Sequence, residues 1–187
     1  MRIIAGTAKG RRLRCPRGSR TRPTSDRVRE SIFSIIGSRV EGARVLDLYA
    51  GTGAMGLEAL SRGASLSVFV EKDQTALRHI RENITGCGFE GVSRIVRSPV
   101  LPFLKGQETL DPFDLVFLDP PYGSDQGTLT LLALTKHAKS LQGSLIVLEQ
   151  ASGVEPGPVP PGLRIADSRR YGSTRVTLLT LENSGEE

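Results

Sequence analysis

Three glycines stand at the spacing of a nucleotide-binding turn. Gly51, Gly53 and Gly56, within Asp47-Leu-Tyr-Ala-Gly-Thr-Gly-Ala-Met-Gly56, fit G-x-G-x-x-G. Such a turn brings backbone close to a ligand and lets the next helix pack tightly on its strand. Glu71 follows twenty positions after Gly51. At the end of a second strand, its carboxylate can accept both hydroxyls of a ribose. Nucleoside binding is therefore expected, and the pair alone does not choose between a dinucleotide and S-adenosylmethionine. Asp47 favours the second, because its negative charge suits a ligand with ammonium and sulfonium groups and repels a pyrophosphate. Length agrees: 43 residues precede the first strand of the sheet and 37 follow Gln150. That leaves little chain for the substrate domain of a hydride-transfer enzyme. Met55 is read as packing.

The second chemical group is Asp119-Pro120-Pro121-Tyr122. Neither proline has an N–H, so the Asp119 carboxylate and the Pro120 carbonyl make an acceptor-only surface. Two acceptors can hold both hydrogens of an exocyclic amino group on a base and aim its lone pair at a sulfonium methyl. The Pro-Pro pair stiffens the turn in advance, and Tyr122 offers a flat face for stacking. Asp119 or water then removes the extra proton.

These groups need a scaffold. Strands are expected at Arg44–Leu48, Leu66–Glu71, Ser93–Arg97, Phe113–Leu118 and Ser144–Glu149. Helices are expected at Ala54–Arg62, Gln74–Ile84 and Leu129–Lys139. Runs this apolar suit parallel strands covered on both faces, and the alternation predicts a doubly wound α/β sheet. In that arrangement Asp119 faces the glycine loop across the switch point. An earlier helix starts at Thr24-Ser25-Asp26, any of which can cap it, and stops at Gly37. The proline-rich stretch from Val154 to Gly162 reads as a loop. Leu163–Tyr171 and Thr174–Leu181 read as an antiparallel hairpin on the sheet edge. Domain boundaries follow: a basic N-terminal arm or hairpin over residues 1–23, the catalytic domain over 24–182, and a frayed tail over 183–187.

Charge is unevenly spread. Residues 1–30 carry ten basic and two acidic side chains, a net +8, and the remainder is −3 within a total of +5. A basic arm on an acidic body points to a polyanion. Arg2, Lys9, Arg11, Arg12 and Arg22 suit phosphate contacts, as do Arg14, Arg17 and Arg20. Arg27 and Arg29 are placed on the polar side of the first helix. With few aromatics, the arm would position a nucleic acid by its backbone while the pocket chooses the base. No apolar run reaches membrane-span length, and no secretory signal is read at the start. Cys15 and Cys87 lack metal spacing, so no metal is expected and a reducing cytoplasm is. His79 and His137 are read as surface positions. A monomer is expected.

The combined motifs resemble class I S-adenosylmethionine-dependent amino-methyltransferases. More closely, the chain resembles bacterial 16S rRNA guanine-N2 methyltransferases of the RsmD type. The likeness runs through Met1-Arg-Ile-Ile-Ala-Gly6, Arg22-Pro-Thr-Ser-Asp-Arg-Val-Arg-Glu30, Gly56-Leu-Glu-Ala-Leu-Ser-Arg62 and Tyr171-Gly-Ser-Thr174. It implies a mostly parallel seven-stranded sheet, S-adenosylmethionine as methyl donor, and a guanine of small-subunit rRNA, free or in an assembly intermediate, as acceptor. By position it implies cofactor binding by Asp47, Ala50, Gly51, Gly53 and Glu71, and a target clamp of Asp119, Pro120 and Tyr122. One departure stands out. Pro99 occupies the place where an Asp or Asn usually holds the adenine, leaving Ser98 as a weaker substitute. Alternatives are an amino-methyltransferase on another RNA or on DNA adenine, and a non-catalytic RNA-binding assembly factor.

Overall fold

The computed structural model describes residues 1–15, 26–121, 124–153 and 159–181. Arg17, Arg20, Arg22, Thr24, Ser25, Tyr122, the loop residues 154–158 and the tail from 182 onward lie outside them. The strands are β1 (Arg44–Leu48), β2 (Leu66–Glu71), β3 (Ser93–Arg97), β4 (Leu115–Leu118), β5 (Leu145–Ala151), β6 (Leu163–Tyr171) and β7 (Thr174–Leu181). They form one sheet in the order β3-β2-β1-β4-β5-β7-β6. The first five are parallel, and β7 is antiparallel to both β5 and β6. The expected doubly wound sheet of seven strands with a closing hairpin is present. The strand order reverses between β1 and β4, which opens a crevice outside their carboxyl ends.

Strict alternation on β1, β2 and β4 sorts side chains to two faces. Val45, Phe69, Leu115 and Phe117 meet α1 (Asp26–Ile36), α2 (Ala54–Ser61) and α3 (Gln74–Cys87) through Ile32, Phe33, Leu57 and Ile80. Leu46, Val68, Val116 and Ile146 meet α4 (Val100–Lys105) and α5 (Gln126–Thr135) through Val100, Leu104, Leu131 and Leu134. Helix α4 was not expected, because Pro99 and Pro102 bracket its start. Pro102 is its third residue, where a backbone N–H has no partner within the helix, so the proline costs nothing there. Past α5 the chain turns at Lys136–Lys139 rather than staying helical. This brings His137 inward, and its Nε2 lies 3.0 Å from the Leu104 carbonyl. His137 is thus buried, contrary to the surface position expected, and His79 is half-buried beside Glu82.

The first fifteen residues are built into the domain. Ile3 N–H donates to Arg11 O, and Gly10 N–H to Ile3 O, each at 2.9 Å, closing a small hairpin. Ile3, Ala8 and Leu13 enter the core on the α1–α3 side. Gly6 has φ +80°, and a Cβ there would fall 1.6 Å from the Ser61 carbonyl oxygen. The hairpin backbone lies directly on α2.

A buried carboxylate fixes this docking. Glu58 accepts the N–H groups of Ile4 (2.8 Å) and Ala5 (3.1 Å) and Arg62 Nε (2.8 Å). Arg29 Nε lies 3.5 Å from it, and both side chains are fully buried. Arg29 also donates to the Arg2 carbonyl and to Asp26. The expectation that Arg29 faces solvent for RNA contact is therefore corrected. It sits on the buried side of α1 because Glu58 and the Arg2 carbonyl there satisfy a charge that would otherwise be stranded. Removing one partner of a buried ion pair leaves the other uncompensated. Glu58→Ala should lower unfolding free energy by about 3–5 kcal/mol in urea titration. Asp26→Ala, at the exposed end of the same network, should cost about 1 kcal/mol or less.

Candidate active site

The loop leaving β1 has positive φ at Tyr49 (63°), Gly51 (57°) and Gly53 (77°). Gly53 is also the N-cap of α2. The third glycine of the motif has a different reason. A Cβ on Gly56 would lie 2.4 Å from both Phe69 Cε1 and Ser67 Oγ, so α2 packs against β2 at backbone distance. Tyr49, outside the motif, holds the loop from the opposite side. Its hydroxyl lies 2.7 Å from Thr130 Oγ1 of α5.

Asp47 lies beneath this loop. Its Oδ2 accepts the Gly56 N–H at 2.9 Å, and the residue is only 3% exposed. Burial pushes its carboxyl up to about 8, opposed by the Gly56 hydrogen bond and reinforced by Glu71. The sequence reading gave Asp47 an open charge, whereas the structure makes it a buried support for the loop, close to its protonation midpoint. Ala50 is buried, and its N–H donates to Val70 O.

Glu71 reaches the loop from the end of β2. Its Oε2 accepts Gly51 N–H at 2.8 Å, and its Oε1 accepts the N–H groups of Lys72 and Asp73, also at 2.8 Å. A carboxylate offers about four acceptor positions, so one remains for a ligand, not the two expected. Ser98 is beside it, with its N–H on Glu71 O at 3.1 Å. The Ser98 hydroxyl donates to the Pro99 carbonyl at 3.0 Å.

Across the switch point, Leu118 pairs with Leu48, so Asp119 leaves β4 one residue beyond the end of β1. Pro120 is buried, and a Cβ on Gly127 would lie 3.4 Å from its Cγ, so α5 backs the turn closely. Ser124 Oγ donates to the Pro121 carbonyl at 2.7 Å, a second brace. Asp119 is held well above the ordinary carboxylate range by burial, then by Glu149, then by Asp47. Buried Glu149 was missed in the sequence. Leu118 pairs with Leu148, which sets Glu149 beside Asp119 at the end of β5. Only the strand register reveals this, since nothing in its spacing from the glycine loop marks it.

Arg2, Lys9, Arg11, Arg12 and Arg27 are exposed. Lys9 lies at the hairpin end packed against Ser61, remote from the glycine loop, with the neighbouring Ala8 N–H on Ser61 Oγ. Arg14 is at the other end, and Asn83 explains why. Asn83 Oδ1 accepts Arg14 N–H at 2.7 Å, while its Nδ2 donates to Arg14 O (3.1 Å) and Thr52 O (2.9 Å). One buried amide thus ties the basic hairpin to the glycine loop. Among the described residues no group of His, Cys, Asp and Glu could hold a metal ion, and no helix is long and apolar enough to cross a membrane.

A glycine loop after the first strand, an acid ending the second and an Asp-Pro-Pro turn after the fourth, in this strand order, define the class I methyltransferase fold. The chain belongs to the family described as Conserved hypothetical protein 95, whose model matches residues 1–180. It is 34% identical over 188 residues to ribosomal RNA small subunit methyltransferase D of Escherichia coli K12, covering 100% of this chain and 92% of that protein. It is 34% identical over 179 residues to YlbH of Bacillus subtilis, provisionally named an rRNA methyltransferase, covering 95% and 97%. The solved structure of yhhF from Escherichia coli, provisionally described as a methyltransferase, matches with TM-score 0.86 at 32% identity. That match covers 97% of this chain and 98% of that one.

The raised Asp47 carboxyl has a sign for stability. Folded Asp47 keeps its proton up to about pH 8, whereas an unfolded Asp loses it near pH 4. The folded state therefore binds more protons between those values, and stability falls as pH rises through that window. Urea unfolding at pH 5 and pH 8.5 should show this loss. Asp47→Asn should flatten it by an amount on the order of a few kcal/mol.

Proposed function

We propose that this chain transfers a methyl group from S-adenosylmethionine to the exocyclic N2 of a guanine in small-subunit rRNA. The observation that carries the reading is the acceptor-only Asp119-Pro120 turn, set one strand from the glycine loop at the switch point. The names of the full-length relatives support rRNA as the substrate class.

The residues present fit the donor. Gly51 and Gly53 take positive-φ backbone that other side chains rarely adopt, leaving close approach to the loop open. Glu71 keeps one acceptor position for a ribose hydroxyl. Asp47, Asp119 and Glu149 crowd carboxyl groups at the carboxyl edge, and a cation there is stabilised by their ionised forms, which suits a sulfonium. When bound, S-adenosylmethionine supplies an electrophilic methyl group on a positively charged sulfur.

The protein's own part is to present the amine and remove its proton. Asp119 and the Pro120 carbonyl accept the two N2 hydrogens and fix the lone pair in line with the methyl. The C–S bond breaks as the C–N bond forms, and S-adenosylhomocysteine leaves neutral at sulfur. The surplus proton on N2 passes to the Asp119 carboxylate or to water. Burial, then crowding by Glu149 and Asp47, makes Asp119 a stronger base than an ordinary carboxylate, and a cation in the crevice favours its ionised form. Tyr122 is assigned the stacking role and Ser98 a polar contact to the adenine. Arg2, Lys9, Arg11, Arg12, Arg22 and Arg27 hold RNA phosphates, with the chain acting as a cytoplasmic monomer.

Asp119→Asn keeps the shape of the turn but gives up the base. It should lower methyl transfer to small-subunit rRNA by about 10²-fold or more, while calorimetry shows S-adenosylmethionine binding within a few-fold of the unaltered protein. Transfer at the normal rate by this variant would remove Asp119 from the chemistry.

A further inference from the structure

The β6–β7 hairpin is a second concentration of positive charge, separate from the N-terminal hairpin. It carries Arg164, Arg169, Arg170 and Arg175 against a single acid, Asp167. Because β7 pairs with β5 by Ala151↔Thr174, the turn at Tyr171–Thr174 lies at the carboxyl edge of the sheet. This is the edge that carries the glycine loop and Asp119. Arg164, near the other end of β6, lies at the opposite edge.

A bulge directs the tip. Ile165 pairs with Leu179, whose side chain belongs to the α4–α5 face of the sheet. After the bulge, Asp167 pairs with Leu178 and Arg169 with Val176, both on the α1–α3 face. The extra residue moves Arg169 and Tyr171 onto the face shared by the N-terminal hairpin and Asp119. Arg169 and Arg170 are exposed. Arg169 Nε is held by Asp167 at 2.8 Å, and Arg170 Nε donates to Gly172 O at 3.3 Å; Arg170 pairs with Arg175, so it stands on the α4–α5 side and the tip presents one guanidinium to each side. Three strand spacings separate β4 from β6, about 14 Å. Charge along an edge strand also discourages aggregation, but that role needs no cluster at one end and no bulge to aim it.

We propose that the tip of the β6–β7 hairpin, through Arg169 and Arg170, is a second RNA-contact surface. It grips phosphates on the opposite side of the target nucleotide from the N-terminal hairpin. This rests on the methyltransferase reading above, and it makes RNA binding bipartite, with the pocket between two cationic elements.

The test uses the full chain with Arg169→Gln and Arg170→Gln combined, and Arg164→Gln as the control at the far edge. Binding to unmodified small-subunit rRNA is measured across salt concentrations. Loss of two phosphate contacts should reduce the log–log salt slope by about 1.4–1.8 and weaken binding roughly tenfold at low salt. Thermal unfolding and S-adenosylmethionine affinity should stay unchanged, and Arg164→Gln should match the unaltered protein. An unchanged slope in the double variant overturns the proposal. So does a loss seen only on protein-containing small-subunit particles and not on naked rRNA, which assigns the tip to a protein contact. If the unaltered protein binds no rRNA, or if Arg11→Gln with Arg12→Gln leaves the slope unmoved, the reading beneath the proposal fails instead.

Discussion

One buried carboxylate organises the half of the molecule that carries the N-terminal basic hairpin. Glu58 sits within α2, takes two N–H groups from the N-terminal hairpin, and neutralises Arg29 of α1 and Arg62 of its own helix. Helix α2 begins at the glycine loop, so the element that anchors the hairpin is also the one that continues from that loop. Asn83 ties the same two parts at the opposite end of the hairpin. The basic segment is therefore held in a fixed relation to the glycine loop.

The second organising constraint is electrostatic. Parallel strands β1, β4 and β5 each carry an acid at or near the carboxyl edge, on the same face: Asp47, Asp119 and Glu149. Buried like charges hold one another's protons, so the crevice is prepared for a cation. Arginines flank it on both sides. In the proposed function, anionic backbone is drawn to the flanks and the cationic donor to the centre.

Much of this was legible in the sequence. The β1, β2 and β3 boundaries follow from apolar runs, those of β6 and β7 from the Gly172-Ser173 turn between them, and Gly53 and Gly56 announce the loop. What the sequence hid has specific causes. Pro102 disguised α4, because a proline reads as a breaker unless its place in the first turn is known. Charge alone put Arg29 on the polar side of its helix, although it stands three, four and seven residues from Ile32, Phe33 and Ile36, and a buried glutamate from another helix is what lets it stay on that face. Register, not spacing, brings Glu149 to Asp119. Glu71 was recognised as an acid at the right place, but the backbone N–H groups of Gly51, Lys72 and Asp73 occupy most of its acceptor capacity. The Arg29 and Glu149 misses come from partners distant in sequence.

The central claim is the acceptor: an exocyclic amine of guanine in small-subunit rRNA, presented by Asp119 and Pro120. The most direct measurement is transfer of a labelled methyl from S-adenosylmethionine to small-subunit rRNA and particles lacking the modification, followed by nucleoside mass spectrometry. The account predicts a single labelled nucleoside, N2-methylguanosine. Label in N6-methyladenosine or on a ring carbon would contradict the assigned acceptor. So would labelled DNA with rRNA left unmodified.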